Sequence, residues 1–289
     1  MSATTSIEWT EKTWNPTTGC DRISAGCDNC YALTMAKRLK GMGSAKYQND
    51  GDPRTSGPGF ALTVHPDVLS EPLRWRKPAV VFVNSMSDLF HARVPREFVA
   101  RVFAVMAATP QHTYQILTKR PERMVRMLND DQWRSSVFLR ESVTQDAETR
   151  PLPTWPLGNV WLGTSVESDQ HTKRADALRA TPAAVRFISA EPLLGPLSSL
   201  DLAGIDWLIA GGESGPGSRP LNLAWVRDLI GRCRAAETAP FVKQLGSVWA
   251  HDTFYDGESI ARSDKKGGNW QYWDADLRVR DYPRTDVAA

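Results

Sequence analysis

Three of the four cysteines of this 289-residue chain fall within "GCDRISAGCDNCYA", residues 19–32, as Cys20, Cys27 and Cys30. Their spacing is C-x6-C-x2-C. Thiolates are soft ligands, suited to zinc or to iron–sulfur clusters, and four cysteines make a poor disulfide framework. Structural zinc normally takes four protein ligands. Cys233 sits late in the helical run "LAWVRDLIGRCRAAE" and reads as a packing residue, so zinc here needs a His or Asp, with His65 and His91 as candidates. Three thiolates on a four-iron cluster instead leave one iron without a protein ligand, open to substrate or cofactor. Thiols that only pack or react are the third reading.

A second constellation lies at the ends of the apolar runs. "VVFVNSMSDLFH" ends in Asn84, Ser85, Ser87, Asp88 and His91, and "YQILTKRPER" in Thr118, Lys119 and Arg120. "VWLGTSVE" supplies Thr164, Ser165 and Glu167, and "VRFISAEP" supplies Ser189 and Glu191. "LIAGGESGPGSRP" brings Glu213, Ser214 and Arg219, and "FVKQLG" brings Lys243 and Gln244. Glu213 is the sharpest of these. Flanking glycines let a backbone approach a ligand closely, and a carboxylate there suits a ligand ammonium group. "LTKRPER" sets three basic side chains near one strand end, which suits a phosphate or carboxylate.

The elements that must position these groups are short runs rich in Val, Ile and Phe, most of them leading into a helical pattern. That alternation is the signature of parallel strands joined by crossover helices. Eight runs are expected as strands: 12–17, 61–65, 79–84, 113–118, 159–164, 184–189, 206–210 and 240–244. Helices are expected over 96–108, 121–128, 169–180 and 222–236, the first with Phe98, Val102, Val105 and Met106 on one stripe.

The expected fold is therefore α/β, a parallel (β/α) barrel of TIM type, either the full eight strands or a partial set. The polar groups at the strand ends then share one mouth. A single domain is expected over 1–289, with inserted loops near 41–59 and 129–157 and a packed C-terminal tail over 247–289. The tail is too rich in Trp and Tyr to read as disordered.

Composition narrows the function classes. Hydrophobic residues make up 41% and charged residues 24%, an ordinary globular balance, and a net charge of +2 does not by itself argue for a nucleic-acid partner. The eleven tryptophans read mainly as core or interface. The start of the chain lacks the basic and apolar regions of a signal peptide, and no eighteen-residue apolar run occurs, so a cytoplasmic protein without membrane association is expected.

The thiol motif is similar to that of radical S-adenosylmethionine enzymes, in which the open iron of a [4Fe-4S] cluster binds the cofactor. It departs from their usual C-x3-C-x2-C spacing: the first gap is six residues, and Asn29 holds the usual aromatic position with Tyr31 just after the last thiol. "EWTEKTWNPTTGCDRISAGCDNCYA", "NSMSDLFH", "ILTKRPER", "FISAEPLLGP" and "GGESGPGSRP" together resemble an uncharacterised phage-associated three-cysteine-motif family, often labelled phage gp thirty-seven / gp sixty-eight, a domain of unknown function. This resemblance covers nearly the whole chain. It implies a barrel related to the radical S-adenosylmethionine superfamily, Cys20, Cys27 and Cys30 as cluster ligands, and a three-cysteine-motif partner protein.

The leading expectation is an enzyme that uses a [4Fe-4S] cluster to cleave S-adenosylmethionine and to modify or repair a substrate, with nucleic acid or a nucleotide favoured. Glu213 or Glu191 is placed near the cofactor's amino group, and Ser189, Thr164 or Asn84 near its ribose and carboxylate. Asp88, Lys119 and Arg120 are placed toward the substrate. The alternative is a zinc-stabilised, non-catalytic module of phage origin that binds nucleic acid or protein.

Overall fold

Apolar runs flanked by turn residues become strands, and apolar stripes at helical spacing become helices. The computed structural model describes residue 5 and residues 7–141 and 154–284. Along the chain come β1 (Lys12–Trp14), β2 (Thr17–Thr18), α1 (Tyr31–Gly41), β3 (Thr63–Val64), β4 (Val80–Val83), α2 (Arg96–Ala108), β5 (Thr113–Thr118), α3 (Pro121–Leu128), α4 (Asp131–Glu141) and β6 (Val160–Ser165). Next are α5 (Arg174–Arg179), β7 (Val185–Ala190), β8 (Trp207–Gly211), α6 (Leu223–Ala235), β9 (Ala239–Gln244), α7 (Ser247–Asp252), β10 (Phe254–Tyr255) and β11 (Glu258–Ser259).

The fold is mixed α/β around a seven-stranded sheet in the order β1-β4-β5-β6-β7-β8-β9. Its pairings β1/β4, β4/β5, β7/β8 and β8/β9 are parallel. Seven of the eight expected runs supply these strands. The run at 61–65 does not, and among the described residues an eight-stranded sheet is not formed. It makes β3, which pairs antiparallel with β2 in a separate two-stranded sheet, Thr17 opposite Val64. Both β3 residues are only half-buried, whereas β8 is buried throughout, and Pro66 directly after the run has no N–H to extend a ladder.

Two compact units are resolved, one from Met1–Ile23, Ala32–Gly163 and Ala180–Ala184, the other from Ser24–Tyr31, Thr164–Arg179 and Val185–Ala289. In the first, α2 buries Phe98, Val99, Val102, Phe103 and Met106. Burying one such side chain stabilises the unit by about 1.5–3 kcal/mol. The expected insertion at 129–157 is in part α4, and residues 142–153 lie outside the described residues. Asp130 caps α4 by accepting from Trp133 N (3.1 Å), and the Trp133 ring meets Phe103 edge-on at 5.3 Å.

In the second unit, α6 starts at Asn222, whose side chain accepts from Ala224 N (2.9 Å), and buries Val226, Leu229, Ile230 and Cys233. The tail packs along β9. Val242 N donates to Val279 O (2.8 Å), Asp281 N donates to Pro240 O (2.9 Å), and Trp207 Nε1 donates to Asp281 O (2.9 Å). The Arg280 guanidinium lies 5.1–5.6 Å from the ring centres of Phe241, Trp270 and Trp273. Among the described residues, no helix is long and apolar enough to cross a membrane.

Candidate functional site

Cys20 follows β2 through a tight approach. Gly19 has φ +83°, and a Cβ there would stand 2.1 Å from Ala61 O, so only glycine fits before the thiol. Gly19 N donates to Met86 O (3.0 Å), which ties this exit to the loop after β4. Asn84, the residue after β4, has φ 63° and accepts from Thr17 N at Oδ1 (3.3 Å). Its Nδ2 is buried and meets no acceptor. A buried donor in that state can still accept a hydrogen-bond partner at no cost to an existing bond.

The expected substrate group Asp88, Lys119 and Arg120 does come together in the first unit, but as a brace. Asp88 is 5% exposed and accepts four bonds: Phe90 N (2.9 Å) and Thr118 Oγ1 (2.7 Å) at Oδ1, Lys119 N (3.2 Å) and Arg120 Nη1 (2.9 Å) at Oδ2. Arg120 Nη1 also lies 3.4 Å from Cys20 Sγ, and Nη2 donates to Asp21 O (3.0 Å). Burial works against the Arg120 charge, but Asp88 and Cys20 beside it prevail and hold its pKa above the ordinary arginine value. A guanidinium at that distance favours the thiolate form of Cys20.

His91 and His65, the expected candidates to complete a zinc site, are otherwise engaged. His91 Nδ1 accepts from Arg93 N (3.2 Å), which leaves the proton on Nε2 to meet Asp21 Oδ2 (2.9 Å). His65 Nε2 lies 2.8 Å from Thr18 Oγ1. Burial pushes the pKa of each below the ordinary histidine value. Asp21 also accepts from Thr55 Oγ1 (2.9 Å) and Arg93 Nη2 (2.9 Å).

In the second unit, the loop bearing Cys27 and Cys30 is held at three points. Asn29, between the two thiols, donates Nδ2 to Glu213 Oε2 (3.1 Å) and to Gly217 O (2.8 Å). Arg219 Nη2 donates to Ala25 O (2.9 Å). Gly26 packs on Glu167, whose carboxylate a Cβ there would meet at 3.1 Å, and Glu167 in turn accepts from Arg174 Nη1 (2.9 Å). Cys27 Sγ sits 3.8 Å from Ser24 Oγ.

Glu213 is thus committed. Besides Asn29, its carboxylate accepts from Arg219 N (2.9 Å), Nε (2.9 Å) and Nη2 (2.6 Å). Burial alone would raise its pKa, yet these bonds hold it below the ordinary glutamate value. The glycines before it serve packing: a Cβ at Gly212 would stand 2.4 Å from Leu245 O, and one at Gly211 would stand 2.7 Å from Glu191 Oε1. Glu191 accepts from Ser189 Oγ (3.2 Å) and pairs with Lys243 Nζ (3.1 Å). Thr164 is fully buried at the end of β6.

Asn29 and Arg219 gain their weight only from the structure. Asn29 stands out in the sequence by replacing an aromatic between two thiols, and an unpaired polar side chain there has to find a partner. The three clustered thiols are outside disulfides and half-buried, while Cys233 is buried in α6 with its pKa pushed up to about 12. Among the described residues, no three His, Cys, Asp or Glu side chains are gathered into a set able to hold a metal ion.

A family model described as "Protein of unknown function (DUF5131)" matches residues 4–275. The chain belongs to this family. None of the curated proteins matches it. Among solved structures, the family member is similar to spore photoproduct lyase complexed with dinucleoside spore photoproduct, with TM-score 0.42 and 12% identity over 74% of this chain and 58% of that one. It is similar also to a mutant spore photoproduct lyase with dinucleoside spore photoproduct, with TM-score 0.43 and 12% identity over 94% of this chain and 77% of that one. The chain spans 58% of the length of the first of these.

Proposed function

We propose that the chain is a radical S-adenosylmethionine-type enzyme in which Cys20, Cys27 and Cys30 hold a [4Fe-4S] cluster. One observation carries this reading. The three thiols are outside disulfides and half-buried, and each end of the motif is built for retention: Arg120 beside Cys20, and the Glu213–Asn29 bond between Cys27 and Cys30. The donor chemistry suits such a cluster, because three thiolates leave one iron open, but the three thiols would have to draw together around it, since among the described residues they are not gathered into a metal-holding set. When bound, such a cluster supplies the electron that breaks a carbon–sulfur bond of S-adenosylmethionine.

The chain's own residues then bind and orient. Asn84, with a buried Nδ2 that meets no acceptor, donates to a ribose or carboxylate oxygen of the cofactor. Ser189 and Thr164 serve the same groups. Glu191 receives the cofactor's amino group, sharing its carboxylate with Lys243. Glu213, saturated by Arg219 and Asn29, acts through the thiol loop. Lys119 faces the substrate, and Asp88 and Arg120 hold the strand end from which it projects. Nucleic acid or a nucleotide is the substrate class, and a three-cysteine-motif protein is the partner.

The experiment is reduction of anaerobically prepared protein by dithionite in the presence of S-adenosylmethionine. Release of 5′-deoxyadenosine that is lost in Cys27→Ala supports the reading. Release that persists in Cys27→Ala, or none from protein shown to hold four irons, overturns it. Colourless protein with one zinc per chain points to the binding module.

A further inference from the structure

α1 opens on the residue that follows Cys30, and its two long faces differ. On one, Ala32 and Ala36 are buried, and the loop beyond the helix closes over them: a Cβ at Gly59 would stand 2.9 Å from Ala36 O and 2.7 Å from Tyr47 O. On the other, Tyr31, Met35 and Met42 are 52%, 40% and 68% exposed. With Arg38 they recur at i, i+4, i+7 and i+11, and Met42 N donates to Arg38 O (3.0 Å), which carries the helical bonding one residue past Gly41. The four residues therefore share one stripe, about 16 Å long. Exposed apolar side chains gathered in one place, rather than scattered singly, mark interaction surfaces.

The charge beside the stripe has one sign. Residues 31–48 contain Lys37, Arg38, Lys40 and Lys46 and neither Asp nor Glu. Lys40 is paired with Asp50 (2.6 Å), and Lys46 is half-buried. Lys37 and Arg38 are exposed and take part in no ion pair among the described residues. The carboxylates of the loop that follows are spent. Asp50 also accepts from Gly59 N (2.6 Å), and Asp52 is bound to Arg54 (2.7 Å). A second copy of this face would set cation against cation, so its complement is an anion.

We propose that this face of α1 binds single-stranded nucleic acid, with Arg38 and Lys37 on backbone phosphates and the Tyr31 ring stacked on a base. Cations beside an exposed aromatic ring suit a flexible polyanion whose bases are accessible, whereas a duplex keeps its bases inside the stack. Thioether sulfur packs well on aromatic rings, so Met35 and Met42 extend the contact along the stripe. The inference rests on the nucleic-acid substrate class of the proposed function and not on the cluster.

The test measures binding of a fluorescently labelled oligothymidylate of roughly twelve nucleotides to the full chain by anisotropy, over a range of salt concentrations. Lys37→Gln,Arg38→Gln is the main variant, because both side chains are exposed and hold no ion pair, and Tyr31→Leu is the second. The expected result is binding weakened about tenfold or more in the double variant, with the salt slope reduced by about 1.4, and weakened about tenfold in Tyr31→Leu with the slope unchanged. Release of 5′-deoxyadenosine without oligonucleotide should be the same in the double variant as in the wild type, which separates this surface from the thiol motif. Absence of binding by the wild type overturns the proposal, and so does equal binding by the wild type and the double variant, which would move nucleic acid to another surface. Polyglutamate that competes as well as unlabelled oligothymidylate also overturns it, in favour of an acidic protein.

Discussion

Asn29 Nδ2 lies 3.1 Å from Glu213 Oε2, so the residue between two thiols is tied to the segment that leaves β8. That carboxylate also takes three bonds from Arg219, whose own Nη2 reaches back to Ala25 O. The arrangement meets two needs at once: a buried carboxylate requires partners, and a loop that carries two thiols requires anchors.

Glu213→Gln should therefore destabilise the protein at pH 7 by about 2 kcal/mol, because it replaces a charge-assisted acceptor with a neutral amide facing Arg219. The Glu213 pKa is lowered on folding, so its contribution is full above the unfolded value near 4.5 and is lost as pH falls from there through the folded value. Denaturant unfolding of both proteins from pH 7 to acid should show the gap closing in acid. A gap independent of pH contradicts this role.

Arg120 and Asp88 form a nearly buried pair at the exit of β5, with side chains 15% and 8% exposed. Removing one partner leaves the other charge uncompensated. Arg120→Ala should cost about 3 kcal/mol in chemical denaturation and should slow alkylation of Cys20, which loses the cation that favours its thiolate. Unchanged Cys20 reactivity would count against the brace.

Thiol chemistry separates the four cysteines. In metal-free native protein at pH 8, iodoacetamide should modify Cys20, Cys27 and Cys30, while Cys233, fully buried and with its pKa pushed up to about 12, stays intact. Peptide mass spectrometry reads the sites directly. Native modification of Cys233 would show that α6 does not bury this face.

The tail contributes to the second unit through Arg280, which donates to Val242 O (3.2 Å), Lys243 O (2.9 Å) and Gly268 O (2.9 Å) beneath three aromatic rings. Arg280→Ala should lower stability by about 2–3 kcal/mol, and Arg280→Lys should restore only part of it, since one ammonium cannot reproduce the fork. Equal stability of the three proteins by thermal unfolding would contradict a packed tail.

Six of the seven sheet strands are legible in the sequence because their Val, Ile, Leu and Phe runs are buried on the sheet, whereas β1 (Lys12–Trp14) carries no such run and is placed mainly by position; α2, α3 and α6 are legible because their apolar residues recur at helical spacing. β3 is not, because "ALTVH" has the same local pattern as a sheet strand, and pattern does not name a partner. α1 escapes detection since it buries only Ala32 and Ala36, a stripe too small to mark a period. The polar residues at strand ends are legible as a set, but their partners are not. Glu213 reads as a ligand group and proves committed to Arg219 and Asn29, a pairing across 184 residues in the case of Asn29 that no local spacing reveals.

The most direct measurement is iron, acid-labile sulfide and zinc content of anaerobically purified protein, beside a variant with Cys20, Cys27 and Cys30 all changed to Ala. A cluster on these thiols predicts brown protein with about four irons and four sulfides per chain, absorbing near roughly 400 nm, and a colourless variant with neither. Colourless wild-type protein carrying a single zinc, or iron retained by the triple variant, would contradict it.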